Sequence, residues 1–470
     1  MYADLSPGKH LVLDNSTIAD TYRLRRRLHQ PVKDPPEPVM VREHPWEGDY
    51  VTVASVMRDP SRGQYRMWYT ALSYALMEQR RLLGRSKNGN IGEPQPYYTC
   101  YAQSADGVRW QRPRLGLFPE SGGDNSIVFK GFSNGGGEVN LDPDAPPERR
   151  YMLTNLEWFS LDCGGVLFAF SPDGLHFRYP TDPPQPVIFG ESDCPNSLVY
   201  NPFRKLWMIY LRGWHSAAVD WPNGKGNCRR RVNYSESRDL VRWSEPQTIV
   251  VPDELDSNDL YGMPSFRYGD WFFGQLLIFD EEHTATIGVQ LAFSRDGIHW
   301  QRLPHRPWFI PPGVPMGPGG GMAFPANAPV VLDDGIYVYW SEYAGHHSDE
   351  PNSSRIFRGR LRTDGFVSLA AGEPMGNLIT RPFTLAGDAI TFNARCVHGR
   401  IVAELTQPDL RDPRGRLIQG FTQDDFDVFT GDHTAHRLSW RGRSDLSALR
   451  GKRLMLRMAL TQAEIYSFTF

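Results

Sequence analysis

Acidic side chains recur at equivalent places along the 470-residue chain. Glu47 and Asp49 stand just ahead of an apolar run that begins at Tyr50, and Glu138, Asn140 and Asp142 mark the next such run. Glu191, Asp193 and Asn196 open a third, and Asp256, Asp259 and Tyr261 open a fourth. Asn327, Glu342, His346 and His347 flank a fifth. A single carboxylate before a strand is most often a turn or edge residue. Its return in run after run lets side chains from distant stretches converge on one hollow. Two carboxyl groups facing each other across a sugar are what glycosidic-bond cleavage requires, about 5 Å apart for retention and about 6.5–9.5 Å for inversion. Trp46, Trp214 and Trp221 offer flat apolar faces for a sugar ring. Arg212, Arg229, Arg230 and Arg231 offer bidentate donors to an acidic sugar or a phosphate, although charge runs usually face solvent. His346-His347 leaves room for a structural metal in an axial channel, with a hydrogen-bonded role the plainer reading; no cofactor is expected. The Gly319-Gly320-Gly321 run is not a phosphate loop, because no Gly-Lys-Ser/Thr follows it.

The elements that would position these groups are set by a repeat. Ser104-Ala-Asp106-Gly107-Val-Arg-Trp110 returns as Ser171-Pro-Asp173-Gly174-Leu-His-Phe177 and as Ser237-Arg-Asp239-Leu-Val-Arg-Trp243. It returns again as Ser294-Arg-Asp296-Gly297-Ile-His-Trp300, and in degraded form as Arg362-Thr-Asp364-Gly365-Phe366. The spacing, roughly 57 to 68 residues, is that of a four-stranded blade with generous loops. Asp-Gly makes a tight turn, and the aromatic after it is expected to begin a strand and plug between blades. These Asp residues therefore read as structural.

A pair of strands precedes each copy. The pairs are Tyr50–Met57 with Tyr65–Ala71, Gly137–Leu141 with Arg150–Asn155, and Asn196–Tyr200 with Leu206–Leu211. Met263–Tyr268 with Trp271–Phe279 and Ala326–Leu332 with Gly335–Tyr343 complete the set. No stretch keeps a 3.6-residue period over a helix's length. From about residue 371 the rhythm changes to short alternating strands without the turn motif: 389–396, 400–407, 433–440, 453–460 and 463–470. The expected fold is all-β: an N-terminal strap over 1–40, a five-bladed β-propeller over 41–370 and a β-sandwich over 371–470.

Bulk properties narrow the function. A net charge of −3 gives no reason to expect nucleic acid or a membrane surface as a partner. Five widely spaced cysteines, with no CxxC pair, argue against a disulfide framework or a zinc site. No apolar run approaches ~18 residues, and the N-terminus lacks a signal-peptide pattern, so a cytoplasmic location is expected unless a signal has been removed. A carbohydrate is the expected partner; the oligomeric state is left open.

On the Trp46-Glu47-Gly48-Asp49-Tyr50 and Ser192-Asp193-Cys194-Pro195 segments the chain resembles the glycoside hydrolases of families 32 and 43, as a divergent relative with a family 32-like C-terminal sandwich. The resemblance implies Asp49 as nucleophile or base, with Glu47 in reserve, and Asp193 as the residue that stabilises the oxocarbenium-like state. The family's acid/base Glu would fall at Gly262, in Tyr261-Gly262-Met263-Pro264. That leaves Asp259 as the nearest proton donor, with Glu138 and Glu342 as alternatives. Trp46, Glu47, Glu138, Asn140, Tyr261, Arg212, Arg231, Glu342 and His346 are the expected substrate contacts. The expected activity is a glycosidase, acting on a furanoside. The competing readings are a phosphorylase using the arginines, a sialidase-like enzyme with Tyr261 as nucleophile, and a non-catalytic sugar-binding propeller.

Overall fold

A computed structural model of the chain describes residues 4–59, 62–82, 96–131, 137–160, 163–189, 193–216, 228–257, 259–313, 321–347, 349–350 and 352–470. The fold is all-β, with two compact units: Pro31–Val331 with Tyr337–Arg360, and Met1–Gln30 with Leu332–Ile336 and Leu361–Phe470. No helix among the described residues is long and apolar enough to cross a membrane.

The turn motif explains the first of these units. Ser104 Oγ donates to Asp106 Oδ1 at 3.0 Å and receives the Gly107 amide at 2.9 Å. Asp106 Oδ1 takes the amides of Val108 and Arg109 at 2.8 and 2.9 Å. The same bonds recur at Ser171/Asp173, Ser237/Asp239 and Ser294/Asp296. The third position of each turn is left-handed, at φ 73° for Gly107 and 63° for Leu240, which replaces glycine in the third copy. The aromatics do not begin strands: Trp110, Phe177 and Trp300 each stand one residue before a short pairing at Gln111, Arg178 and Gln301. Each turn docks on a neighbouring sheet. Tyr339 Oη donates to Gly107 O at 2.8 Å, Trp68 Nε1 to Gly174 O at 2.8 Å, and Tyr210 Oη to Gly297 O at 2.9 Å.

The sheets themselves are antiparallel. The first runs Tyr50–Arg58, Tyr65–Leu72, Tyr97–Ser104 and Ile127–Phe129. The second runs Glu138–Leu141, Tyr151–Ser160, Cys163–Ser171 and Ile188–Phe189, and the third Ser197–Asn201, Leu206–Ser216, Cys228–Ser237 and Gln247–Val250. A twelve-stranded sheet follows, whose two parts meet at one parallel pair, Ile287 with Met322. Hydrogen bonds stitch neighbouring sheets, and the two parts of the twelve-stranded one, together. Val139 N–H donates to Ser55 Oγ at 2.8 Å, Ser265 N–H to Ser197 Oγ at 2.9 Å, and Gln275 Nε2 to Ala326 O at 2.8 Å. Val53 N–H then donates to Ser341 Oγ at 2.9 Å, so the last part returns to the first sheet. This closure is how a propeller leaves no long sheet edge.

Several elements differ from expectation, among them Met263–Tyr268, which is found as Asp259–Gly262 and Ser265–Tyr268. The innermost strand of the final part is Met322–Pro325 rather than the expected Ala326–Leu332, of which Val330–Leu332 is an outlying strand paired with Gly335–Tyr343. A helix, Tyr74–Leu82, fills the connection after Leu72; at nine residues it is too short to print a clear period.

In the other unit a single eleven-stranded sheet curls around an apolar core that includes Phe392, Leu405, Trp440, Leu456 and Phe468. Its central strand, Thr391–Gln407, reads from sequence as two strands. Its first half pairs with Ala463–Thr469 and its second with Arg453–Thr461, and its pairing with Phe429–Arg437 shifts register between Cys396 and Ile401. Residues 4–30 contribute Lys9–Leu11, Ile18–Tyr22 and Arg25–Leu28 to this sheet, whereas Val32–Lys33 and Met40–Val41 pair with Ser354–Leu361.

Candidate active site

A cavity of about 410 Å³ opens among the inner strands of the propeller unit, a size typical of small-molecule sites. Its wall takes Tyr50 and Thr52 from the first sheet, Glu138 from the second, Asn196 from the approach to the third, and Tyr261 and Phe324 from the twelve-stranded sheet. Aromatic rings meet edge to face along it: Tyr50 with Tyr343 at 5.1 Å, Tyr343 with Phe324 at 5.4 Å, and Phe324 with Tyr261 at 5.6 Å. Such rings give a sugar an apolar face to lie on.

Two carboxyl groups of opposite character line this cavity. Glu138 is 7% exposed. Burial pushes its carboxyl up to about 8, although the Ser197 hydroxyl and the Leu198 amide bond to it and pull the other way. Glu138 Oε2 is buried with no hydrogen-bond partner among the described residues. An acid kept neutral by desolvation in this manner can give up a proton near neutral pH. Asp193 is the reverse. Burial alone would raise it, but the Arg212 charge, the Cys194 amide and the Arg230 charge together hold its carboxyl below the usual range. Arg212 Nη1 lies 2.9 Å from Asp193 Oδ2, and the Cys194 amide donates to Asp193 Oδ1 at 2.7 Å.

Arg212, expected to touch substrate, instead stands behind the wall. Its side chain is wholly buried. It donates to Tyr261 O at 2.5 Å and to Cys194 O, and its guanidinium lies 4.0 Å from the Tyr261 ring centre. It is thus the clamp that orients Asp193. Tyr261 lines the cavity, with its hydroxyl 2.9 Å from His347 Nε2, and burial pushes its phenol up to about 12.

The structure does not bring the other expected residues to the cavity. Asp49 Oδ2 accepts the Tyr74 amide at 2.5 Å and so holds the start of the short helix. Asp259 is buried and accepts the Arg230 amide at 2.8 Å and its guanidinium at 3.3 Å. Glu47, fully buried, pairs with Arg112 at 2.6 Å and receives the Tyr69 hydroxyl at 2.8 Å and the amides of Glu43 and His44. Glu342 pairs with Lys33 at 2.9 Å and takes Trp340 Nε1 at 2.9 Å. Asn140 Oδ1 accepts from Asn327 Nδ2 at 3.4 Å, and its own Nδ2 is buried without a partner among the described residues. Trp46 stacks on His44, Arg231 bonds Arg230 O at 2.9 Å, and His346 pairs with Asp349 at 3.1 Å. Gly262, where the family's acid would stand, has no space for one: a Cβ there would lie 2.6 Å from Pro195. Glu191, Trp221, Gly319 and Gly320 lie outside the described residues. Among the described residues no group of three metal-ligating side chains converges.

Sequence reasoning missed Tyr74, Tyr97, Tyr343, Asp349 and Glu350, all of which line the cavity. Asp349 and Glu350 follow the strand Gly335–Tyr343 just past the histidine pair, so a wider window at that strand's end would have caught them. Tyr74 sits on the unexpected helix.

No family model matches the chain, and no curated protein matches it. In shape it is similar to a structure described as belonging to the GH130 family of mannoside phosphorylases, containing glycoside hydrolases that target beta-1,2 mannosidic linkages in Candida mannan. That match has 12% identity and a TM-score of 0.48, and covers 72% of this chain and 94% of the other. A GH32 beta-fructofuranosidase from Bombyx mori is similar at 11% identity and a TM-score of 0.43, over 94% of this chain and 93% of the other. A family 43 arabinoxylan arabinofuranohydrolase from Bacillus subtilis is similar at 13% identity and a TM-score of 0.40, over 90% of this chain and 96% of the other.

Proposed function

We propose that the chain is a carbohydrate-active enzyme, a glycoside hydrolase on a five-bladed propeller, in which Glu138 protonates the leaving-group oxygen. Asp193, ionised, attacks the anomeric carbon in a retaining enzyme or activates a water in an inverting one. The observation that carries this reading is the pair itself: two carboxyl groups line one cavity, and their surroundings drive their proton affinities apart. Asp49 and Asp259 leave the proposal, because neither lines the cavity and each is engaged in holding backbone. A furanoside is the substrate put first, on the resemblance to families 32 and 43.

The rival mechanisms find less support. A phosphorylase needs a cation for its phosphate, and no Lys or Arg lines the cavity among the described residues. A Tyr261 nucleophile would need its phenol to ionise, and burial pushes that phenol up to about 12.

The test is a panel of aryl furanosides and pyranosides, assayed with and without inorganic phosphate. Release of the aryl group independent of phosphate is expected, and Glu138→Gln is expected to lower turnover by ~10²–10⁴ while sugar binding persists. Binding without release from any member would make this a non-catalytic sugar-binding protein.

A further inference from the structure

Buried polar atoms in a folded chain almost always have a hydrogen-bond partner. Two residues on the cavity wall depart from this among the described residues: Glu138 at Oε2 and Thr154 at Oγ1. Both are closed off from bulk solvent, at 7% and 2% exposure. They are also neighbours. Glu138, on the strand Glu138–Leu141, stands directly opposite Thr154, on Tyr151–Ser160, in the antiparallel register of the second sheet. Residues paired in this way lie on one face of a sheet, with Cβ atoms about 4.5–5.5 Å apart. Leu156, two residues beyond Thr154, continues that face along the wall. The face looks toward the third sheet, because Ser197 and Leu198 bond to the Glu138 carboxyl. Asp193 lies on the approach to that same sheet and lines the same cavity.

Neither oxygen has a partner, so the two do not bond each other, and each is left to meet a group that enters between them. We infer that Thr154 is a second hydrogen-bond donor to the glycosidic oxygen, placed beside Glu138. This rests on the glycosidase reading. A glycosidic oxygen has two lone pairs; the Glu138 acid donates to one and the Thr154 hydroxyl to the other. As the bond from the anomeric carbon to that oxygen breaks, the electron pair stays on the oxygen and the Glu138 proton moves onto it. Asp193, or the water it activates, supplies the new bond to the carbon. Thr154 keeps its own proton throughout. Its hydrogen bond strengthens because the oxygen gains charge as the bond breaks, so Thr154 stabilises the transition state more than the bound substrate.

The experiment compares Thr154→Val and Thr154→Ser with the parent on aryl glycosides of the sugar that is cleaved best, graded from a 2,4-dinitrophenyl to a phenyl leaving group. Thr154→Val should lower kcat/KM for the phenyl glycoside by about ten- to a hundredfold. The loss should shrink as the leaving group improves and nearly vanish for the 2,4-dinitrophenyl glycoside, whose oxygen departs with little need of a donor. Thr154→Ser, which restores the hydroxyl, should recover most of the loss. The melting temperature of Thr154→Val should stand level with the parent or above it, because the substitution removes a buried oxygen that has no partner. Thr154→Ala repeats the comparison should the valine variant fail to fold. A loss equal for every leaving group, or no loss, would overturn the role of Thr154 and leave the glycosidase reading standing. A parent that cleaves no member of the series, in any sugar, would overturn both.

Discussion

Glu47 and Glu138 are both glutamates buried in the propeller unit, and they have opposite surroundings. Glu47 meets a guanidinium, a phenol and two backbone amides, so each of its oxygens is occupied. Glu138 has one hydroxyl and one amide, and its Oε2 is buried without a partner among the described residues. Burial is common to both; pairing separates them. A fully paired buried carboxylate holds backbone in place, whereas a half-paired one keeps its proton and is ready to give it away.

The largest expected effect breaks this contrast on the Glu138 side. Glu138→Gln should lower turnover by ~10²–10⁴ and remove the alkaline limb near pH 8 from the rate profile. The same substitution should raise stability at alkaline pH. Between the ordinary 4.5 and about 8, the unfolded chain has released this proton while the folded chain retains it. Stability is therefore lost progressively as pH rises through that window, reaching on the order of 4–5 kcal/mol at about 1.36 kcal/mol per pH unit. Thermal melts should show the Gln variant above the parent at pH 8 and level with it near pH 4.

Glu47→Ala tests the other side. It strands Arg112, whose side chain is 5% exposed, and should cost about 3–5 kcal/mol in a denaturant titration. Activity per folded molecule should be unchanged, because Glu47 does not line the cavity.

Arg212→Lys sharpens the comparison with Asp193. A lysine keeps the charge but loses the fork that spans Asp193, Tyr261 O and Cys194 O. With burial then less opposed, Asp193 should rise, moving the acidic limb of the kcat/KM profile up by about one pH unit.

The smallest effect concerns the turns. Leu240 holds φ 63°, a strained value for a side chain with a Cβ. Leu240→Gly should stabilise by up to about 1 kcal/mol, read as a small rise in Tm. Gly107→Ala at the matching turn should destabilise, because a Cβ there would lie 2.6 Å from Tyr339 Oη.

Local chemistry was readable from the chain, and long-range partnership was not. The four turns were legible because Ser, Asp and Gly complete their own hydrogen bonds within a few residues. The strand pairs followed from apolar runs, with slips at Val330–Leu332, where the run is outlying and Val331 is 47% exposed, and at Asp259–Gly262, which the expected Met263–Tyr268 left out. The carboxylates stand out in the sequence as a set, of which Glu138 and Asp193 line the cavity. Nothing in the sequence could rank Glu138 above Asp49 or Asp259. The ranking depends on which distant group meets each carboxylate: the Tyr74 amide at Asp49, Arg230 at Asp259, and no second partner at Glu138 Oε2. The family pattern also pointed elsewhere, to a position that Pro195 leaves without room for a side chain.

The most direct test is an infrared difference titration of the parent against Glu138→Gln, following the protonated carboxyl band. A band present at neutral pH that disappears with a midpoint at about 8 is the predicted result. A Glu138 already ionised at pH 6 would contradict the assignment of this residue as the proton donor.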